Sequence, residues 1–118
     1  MQRFGFFQEF HEGGQSFLSM MNPPYAWQAA VASYLESGRI VSFSPEIVED
    51  PLSFGESAGT RAVQTDGEWV WPSELSYLVR RYGVMVPEAF LERMRSSSWL
   101  APAVSDEVLS IAYETASG

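Results

Sequence analysis

Asp66-Gly67 stands between two runs of strand-forming residues, Arg61 to Thr65 and Glu68 to Trp71, and it constrains the fold more than any other feature. Asp-Gly tolerates the two positive φ angles of a type I′ turn, so the pair predicts a tight hairpin. A two-residue turn sets Gln64 opposite Trp69, Val63 opposite Val70 and Ala62 opposite Trp71. Trp69 and Trp71 then share one face, and Val63 and Val70 share the other. Both faces are apolar, which requires cover on both sides. Pro72 has no N–H to give the ladder and ends the strand. Ser73 is expected to cap a helix in which Leu75, Leu78, Val79 and Tyr82 recur at helical spacing. Gly83 supplies its left-handed stop. Pro87 opens a second helix, with Phe90, Leu91 and Met94 inward and Glu88, Glu92, Arg93 and Arg95 mostly outward.

The flanking sequence supplies the remaining elements. Phe4, Phe6, Phe7 and Phe10 form an aromatic start, read as a strand over 3–7 with core side chains. Asn22 is placed to cap a helix entered through Pro23. Along that helix Trp27, Ala30, Val31, Tyr34 and Leu35 form one apolar stripe, and Gly38 stops it. Arg39 to Phe43 reads as a strand by β-branching. Trp99-Leu100 packs back as an anchor after Ser96-Ser97-Ser98. Ser105 caps a last helix from Asp106 to about Thr115, whose acidic first turn suits the helix dipole. The expectation is a single α+β domain over 1–118: a small antiparallel sheet (39–43, 61–65, 68–71 and 3–7) packed by three or four helices.

With 118 residues and 46% hydrophobic side chains, the chain can bury one core without staples. Cysteine is absent, which removes disulfides, thiol nucleophiles and thiolate metal sites. Neither an apolar leader nor an 18-residue apolar run is present, so the expected setting is the cytoplasm, with no membrane partner. The net charge of −8 is unevenly spread. Residues 60–95 are balanced, whereas 44–59 (Glu46, Glu49, Asp50, Glu56) and 96–118 (Asp106, Glu107, Glu114) hold no basic residue. A phosphate-tracking surface needs the opposite sign, so direct nucleic-acid binding is not expected and a basic partner is.

Residues 44–60, SPEIVEDPLSFGESAGT, read as one long irregular connection carrying four acids and the apolar residues Ile47, Val48, Leu52 and Phe54. Loops of this length inside compact domains often carry function. The candidate partner-binding set is Glu46, Glu49, Asp50, Leu52, Phe54 and Glu56, with Asp106 and Glu107 from the C-terminal region. Reversing the four loop acids is expected to leave the fold intact, since they lie outside the periodic elements.

Catalytic motifs are weaker. Gly55-Glu56-Ser57-Ala58-Gly59 fits G-x-S-x-G, but that elbow needs a strand before it and a helix after it. The only histidine, His11, lies upstream, and with Glu9 and Glu12 it falls short of a metal site. Glu49/Asp50 and Asp106/Glu107 read as solvated pairs, and Arg80-Arg81 as partners for acids such as Glu74, Glu88 or the acidic loop. Trp69 and Trp71 read as core rings rather than a ligand platform.

The segment Thr65-Asp66-Gly67-Glu68-Trp69-Val70-Trp71-Pro72, the helix from Leu75 to Val79, and Val84 to Leu91 together resemble a pattern shared by small bacterial proteins. That pattern is T-D-G-x-W-x-W-P, a Leu–aromatic–Val helix, then V-x-x-P-x-x-F-L. Tyr34-Leu35, Gly38 and Asp50-Pro51 extend the resemblance to about two thirds of the chain. Leu78 departs from it, since a second aromatic belongs there. These proteins look like cognate immunity proteins of polymorphic toxin systems. The resemblance implies an immunity-type binding protein. Joined to the charge pattern, in which the acidic loop and C-terminal region suit the basic cleft of a nucleic-acid-targeting enzyme, it leads to the expectation of a non-enzymatic protein without cofactor that occludes the active site of a basic, nucleic-acid-targeting toxin. The alternatives from other classes are a small hydrolase using Ser57 or a carboxylate pair, and a regulatory or structural subunit.

Overall fold

The computed structural model describes residues 1–6 and 20–117, so Phe7, Phe10 and His11 lie outside the described residues. In chain order the elements are β1 (Gln2–Arg3), α1 (Gln28–Glu36), β2 (Arg39–Glu49), β3 (Ser57–Thr65), β4 (Trp69–Pro72), α2 (Glu74–Tyr82), α3 (Glu88–Ser96) and α4 (Asp106–Ser117). The class is α+β, as expected. The sheet order is β1-β4-β3-β2, and it is mixed rather than wholly antiparallel. β1 runs parallel to β4, with Gln2 N–H on Glu68 O (3.0 Å) and Phe4 N–H on Val70 O (3.1 Å).

The central hairpin forms, but not through a two-residue turn. Gln64 pairs with Trp71 and Thr65 with Val70, a slip of two residues from the sequence expectation. The cause is side-chain chemistry at Asp66. Its Oδ1 accepts the amides of Glu68 (2.9 Å) and Trp69 (2.7 Å), and Thr65 Oγ1 donates to Trp69 O (2.7 Å). These bonds close a four-residue loop in which Gly67 takes a positive φ of 97° and Asp66 does not. The side-chain period in a strand is two, so a slip of two preserves the faces. Trp69 and Trp71 do share one face, and Val70 the other.

Asp66 is itself buried, and two further elements converge on it. Tyr34 OH donates to its Oδ2 at 2.5 Å, and Arg93 reaches Oδ2 through Nε (3.3 Å) and the Asp66 carbonyl through Nη2 (2.8 Å). Burial, then the bond to Asp66, pushes the Tyr34 hydroxyl well above the ordinary tyrosine range. The hairpin loop is thereby tied to α1 and α3 at once.

On the tryptophan face, Trp71, Tyr34, Phe90, Leu35, Leu75 and Met94 are fully buried. Trp69 stacks on Phe90 (centroids 4.5 Å apart, planes 3° apart), and Trp71 meets both Phe90 (5.4 Å) and Tyr34 (6.3 Å). Gly38 is required here, since a Cβ at that position would lie 2.4 Å from Trp71 Cζ2. α4 crosses the sheet in contact with all four strands. It leaves Val70 and Ala112 fully buried outside the tryptophan cluster, so both hairpin faces are covered.

Helix boundaries follow the sequence with two corrections. α1 begins at Gln28, not at Pro23; Asn22 N–H instead bonds Gly83 O (3.0 Å). Ser73 does not cap α2. Its hydroxyl donates to Thr60 O (3.0 Å) and accepts Ala62 N–H (3.0 Å), tying the helix start to β3. Gly83 is the expected left-handed C-cap, and Pro23 packs so close that a Cβ there would clash at 2.7 Å. Ser105 accepts Val108 N–H (3.3 Å) at the start of α4. Trp99 packs back onto Trp27 (5.3 Å), while Leu100 stays exposed.

Candidate protein-binding surface

Residues 44–60 are not a free loop. β2 runs on to Glu49 and β3 starts at Ser57, so most of the stretch is a long antiparallel arm with a turn over 50–56. The ladder is irregular between Ile40 and Ser42, Phe43 and Ile47, and Ile47 and Glu49. Such bulges admit Pro45 to an edge strand and blunt its free edge. They also decide which side chains line up. Ile40 pairs with Gln64, Phe43 with Ala62 and Ile47 with Thr60, so all three share the face of Trp69 and Trp71.

The helical layer on that face does not extend over β2; among the helices it is α4, on the opposite face, that packs closely against this strand. Ile40 is 51% exposed, Phe43 75% and Ile47 64%. At the turn Leu52 is exposed and Phe54 is 99% exposed. A row of large apolar side chains on one arm exceeds the scattered surface hydrophobics of an ordinary monomer.

The acids fall into three settings. Asp50 is the correction that matters most: its side chain is fully enclosed, so it offers no surface charge. Tyr82 OH donates to both its oxygens (2.7 Å each), Tyr77 OH to Oδ2 (2.6 Å) and Leu52 N–H to Oδ1 (2.8 Å). Arg81 Nη1 lies 3.1 Å from Oδ2. Burial alone would raise the Asp50 pKa, but the tyrosine and amide bonds and the guanidinium outweigh it and hold the carboxyl below its ordinary value. Glu46 and Glu56 are exposed yet engaged, with Arg61 (3.2 Å) and Arg81 respectively. Three of the four loop acids therefore have arginine partners from other parts of the chain, and reversing all four would put a cation into the enclosed Asp50 site. Glu49 is exposed, and no arginine among the described residues pairs with it.

The C-terminal acids do not join this group. Asp106 pairs with Arg39 (3.1 Å), whose Nη1 also donates to Val104 O (2.5 Å). Arg39 and Glu49 end the same strand, roughly 30 Å apart at ~3.3 Å per residue. Glu107, Ile111 and Glu114 sit on one exposed stripe of α4 at i, i+4 and i+7. An open cleft of about 440 Å³ lies between Met1, Gln2, Gly67, Glu68, Trp69, Val108 and Ile111. Its one carboxylate, Glu68, is held by Arg93 (3.2 Å).

No protein-family model, curated protein or solved structure matches the chain. The surface therefore has to be read on its own chemistry. Ser57 opens β3, accepts Gly59 N–H (3.0 Å) and is followed by strand, so it has no elbow geometry. Among the described residues no three of His, Cys, Asp or Glu are grouped to share a metal ion, and no helix is long and apolar enough to cross a membrane. Among the described residues Glu74 is the one carboxylate with a buried unpartnered oxygen; burial raises its pKa, partly offset by its own amide and by Arg61. It stands at the first turn of α2, away from the cleft. The expected pairing of Arg81 with the acidic loop is present, on Asp50 and Glu56. Sequence reading missed Ile40 and Phe43 as surface residues, and Tyr77 and Tyr82 as partners of Asp50. The available signal was Asp50-Pro51-Leu52, an Asx-turn pattern that sets Asp50 apart from its acidic neighbours.

Proposed function

We propose that this protein binds a basic protein, most specifically a nucleic-acid-targeting toxin whose active site it occludes, and that the β2–β3 arm is the binding surface. The observation that carries the reading is the exposed row Ile40, Phe43 and Ile47, with Phe54 at the turn, on a molecule of net charge −8. Interface energy concentrates in a few large apolar anchors, and unlike charge accelerates and steers their encounter. Enzymes that act on nucleic acids carry cationic clefts, so an acidic inhibitor with a projecting apolar arm complements one in both shape and sign. The resemblance of Thr65–Leu91 to immunity-type proteins points the same way.

The test is co-expression with the product of the neighbouring gene. The expected result is that the wild-type chain restores growth and suppresses nuclease activity, while a Phe43→Ser/Ile47→Ser/Phe54→Ser variant does neither. Toxicity unaffected by the wild-type chain would overturn the assignment.

A further inference from the structure

The 50–56 turn is held both from within and from outside. Within it, Asp50 N–H donates to Glu56 O (2.9 Å), Glu56 N–H to Ser53 O (3.1 Å) and Leu52 N–H to Asp50 Oδ1 (2.8 Å). From outside, α2 grips it through Tyr77, Arg81 and Tyr82, all on the Asp50 carboxylate. Arg81 also takes Glu56 and the Tyr77 hydroxyl (2.6 Å), and its guanidinium lies over the Tyr82 ring (5.4 Å). The enclosed Asp50 and the almost wholly exposed Phe54 are only four residues apart. Fixing a turn costs conformational entropy, and nothing in folding is gained by holding a phenyl ring in water. In binding, by contrast, a turn already held presents Phe54 as an anchor whose backbone entropy has been lost in advance.

We infer that Asp50, Tyr77, Arg81 and Tyr82 form a positioning device that presents Phe54 as a plug for a concave apolar pocket on a basic protein. This rests on the binding reading above and assigns its anchor and the shape of the partner. Charge selects the occupant. Arg81 is consumed by Asp50 and Glu56, and Arg61 by Glu46, while Glu49 at the base of the turn has no such pair among the described residues. A second copy of the chain, at −8, is repelled, as is an anionic bilayer. A pocket rimmed by cations is not.

The test has two arms, both on the full chain. In the first, amide exchange is measured on the free protein and on Tyr77→Phe/Tyr82→Phe, which keeps the rings and removes the hydroxyls. The Leu52 and Glu56 amides should exchange at least tenfold faster in the variant, with α3 amides unchanged. Equal protection of the turn refutes the positioning device.

In the second arm, a benzophenone amino acid replaces Phe54 in the host cell, and Phe43 in a parallel experiment. The expected product from position 54 is one basic protein, attached within an apolar pocket, in at least tenfold lower yield on the Tyr77→Phe/Tyr82→Phe background. Titration of that purified protein should show Phe54→Ala binding about thirtyfold or more weakly. Attachment to a second copy, to lipid, to many proteins alike, or to nothing overturns the plug, and so does sedimentation of the wild-type chain with phosphatidylglycerol vesicles. A basic protein captured from position 43 but not 54 also overturns the plug, yet leaves the binding reading standing. Capture from neither position removes both.

Discussion

Replacing Trp71 by Ala should bring the domain close to unfolding. The side chain is fully buried, with the rings of Tyr34 and Phe90 against it. Truncating a buried aromatic of this kind costs about 3–5 kcal/mol. The indole N–H donates to Leu35 O (3.3 Å), but that carbonyl keeps the Gly38 amide (3.3 Å), so losing this bond adds little. A domain of this size has roughly 5–15 kcal/mol in all. At about 4 °C per kcal/mol the melting temperature should fall by ~12–20 °C. Calorimetry or a circular-dichroism melt reads this directly, with Phe54→Ala as the internal contrast, since its ring contributes almost nothing to the core and should leave the melt unchanged. A Trp71→Ala melt within about 2 °C of wild type would mean that the Trp71–Phe90–Tyr34 cluster is not the core.

Other substitutions probe separate parts of the structure. Gly38→Ala drives a methyl into the rigid Trp71 ring and should cost about 1–3 kcal/mol as overpacking, with Trp71→Phe restoring part of the loss in a denaturant titration; additive losses would refute the close approach. Asp50 has a folded-state pKa below its unfolded value, so its stabilising contribution is present above the unfolded pKa, near ~3.9, and is lost as pH falls through the folded value. Asp50→Asn should therefore be less stable than wild type at neutral pH, with the gap narrowing below about pH 4; a constant gap in urea midpoints down to pH 2 would contradict the sign. Reversing Glu49, Glu107 and Glu114 to Lys should slow association with the basic partner and flatten its salt dependence while leaving the melt within about 2 °C; unchanged association at low and moderate salt would remove these acids from steering.

The fold was legible where the chain signals locally. Gly83 ends α2, Ser105 starts α4, and the Trp69/Trp71 face survives even a misplaced turn because a slip of two residues preserves strand parity. The hairpin register was less legible, because Asp-Gly also fits a two-residue turn. What selects the longer loop is the Asp66 side chain on the Glu68 and Trp69 amides, held in place by Tyr34 and Arg93 from elements remote in sequence. The β2–β3 arm was hidden for a related reason. Pro45, Gly55 and Gly59 read as breakers, and strand pairing through several bulges is settled by cross-strand contacts that a local window does not contain. Those bulges also bring Ile40, Phe43 and Ile47 to one face at spacings no period-two pattern would select. The exposure of Ile47, Leu52 and Phe54 was legible because large apolar residues near Pro and Gly stand out. Asp50 was misplaced because in sequence it is one acid among several. Its distinction, a cage of Tyr77, Arg81 and Tyr82, is entirely tertiary.

Equilibrium titration of the partner protein against the wild-type chain and Phe43→Ser/Ile47→Ser/Phe54→Ser, at matched salt, tests most directly whether the arm is the binding surface. Each substituted side chain is mostly exposed, so the variant should melt with the wild type. Its affinity should nevertheless fall by at least about a hundredfold, as loss of several central anchors requires. A variant that folds normally and binds as tightly as wild type would place the interface away from the β2–β3 arm.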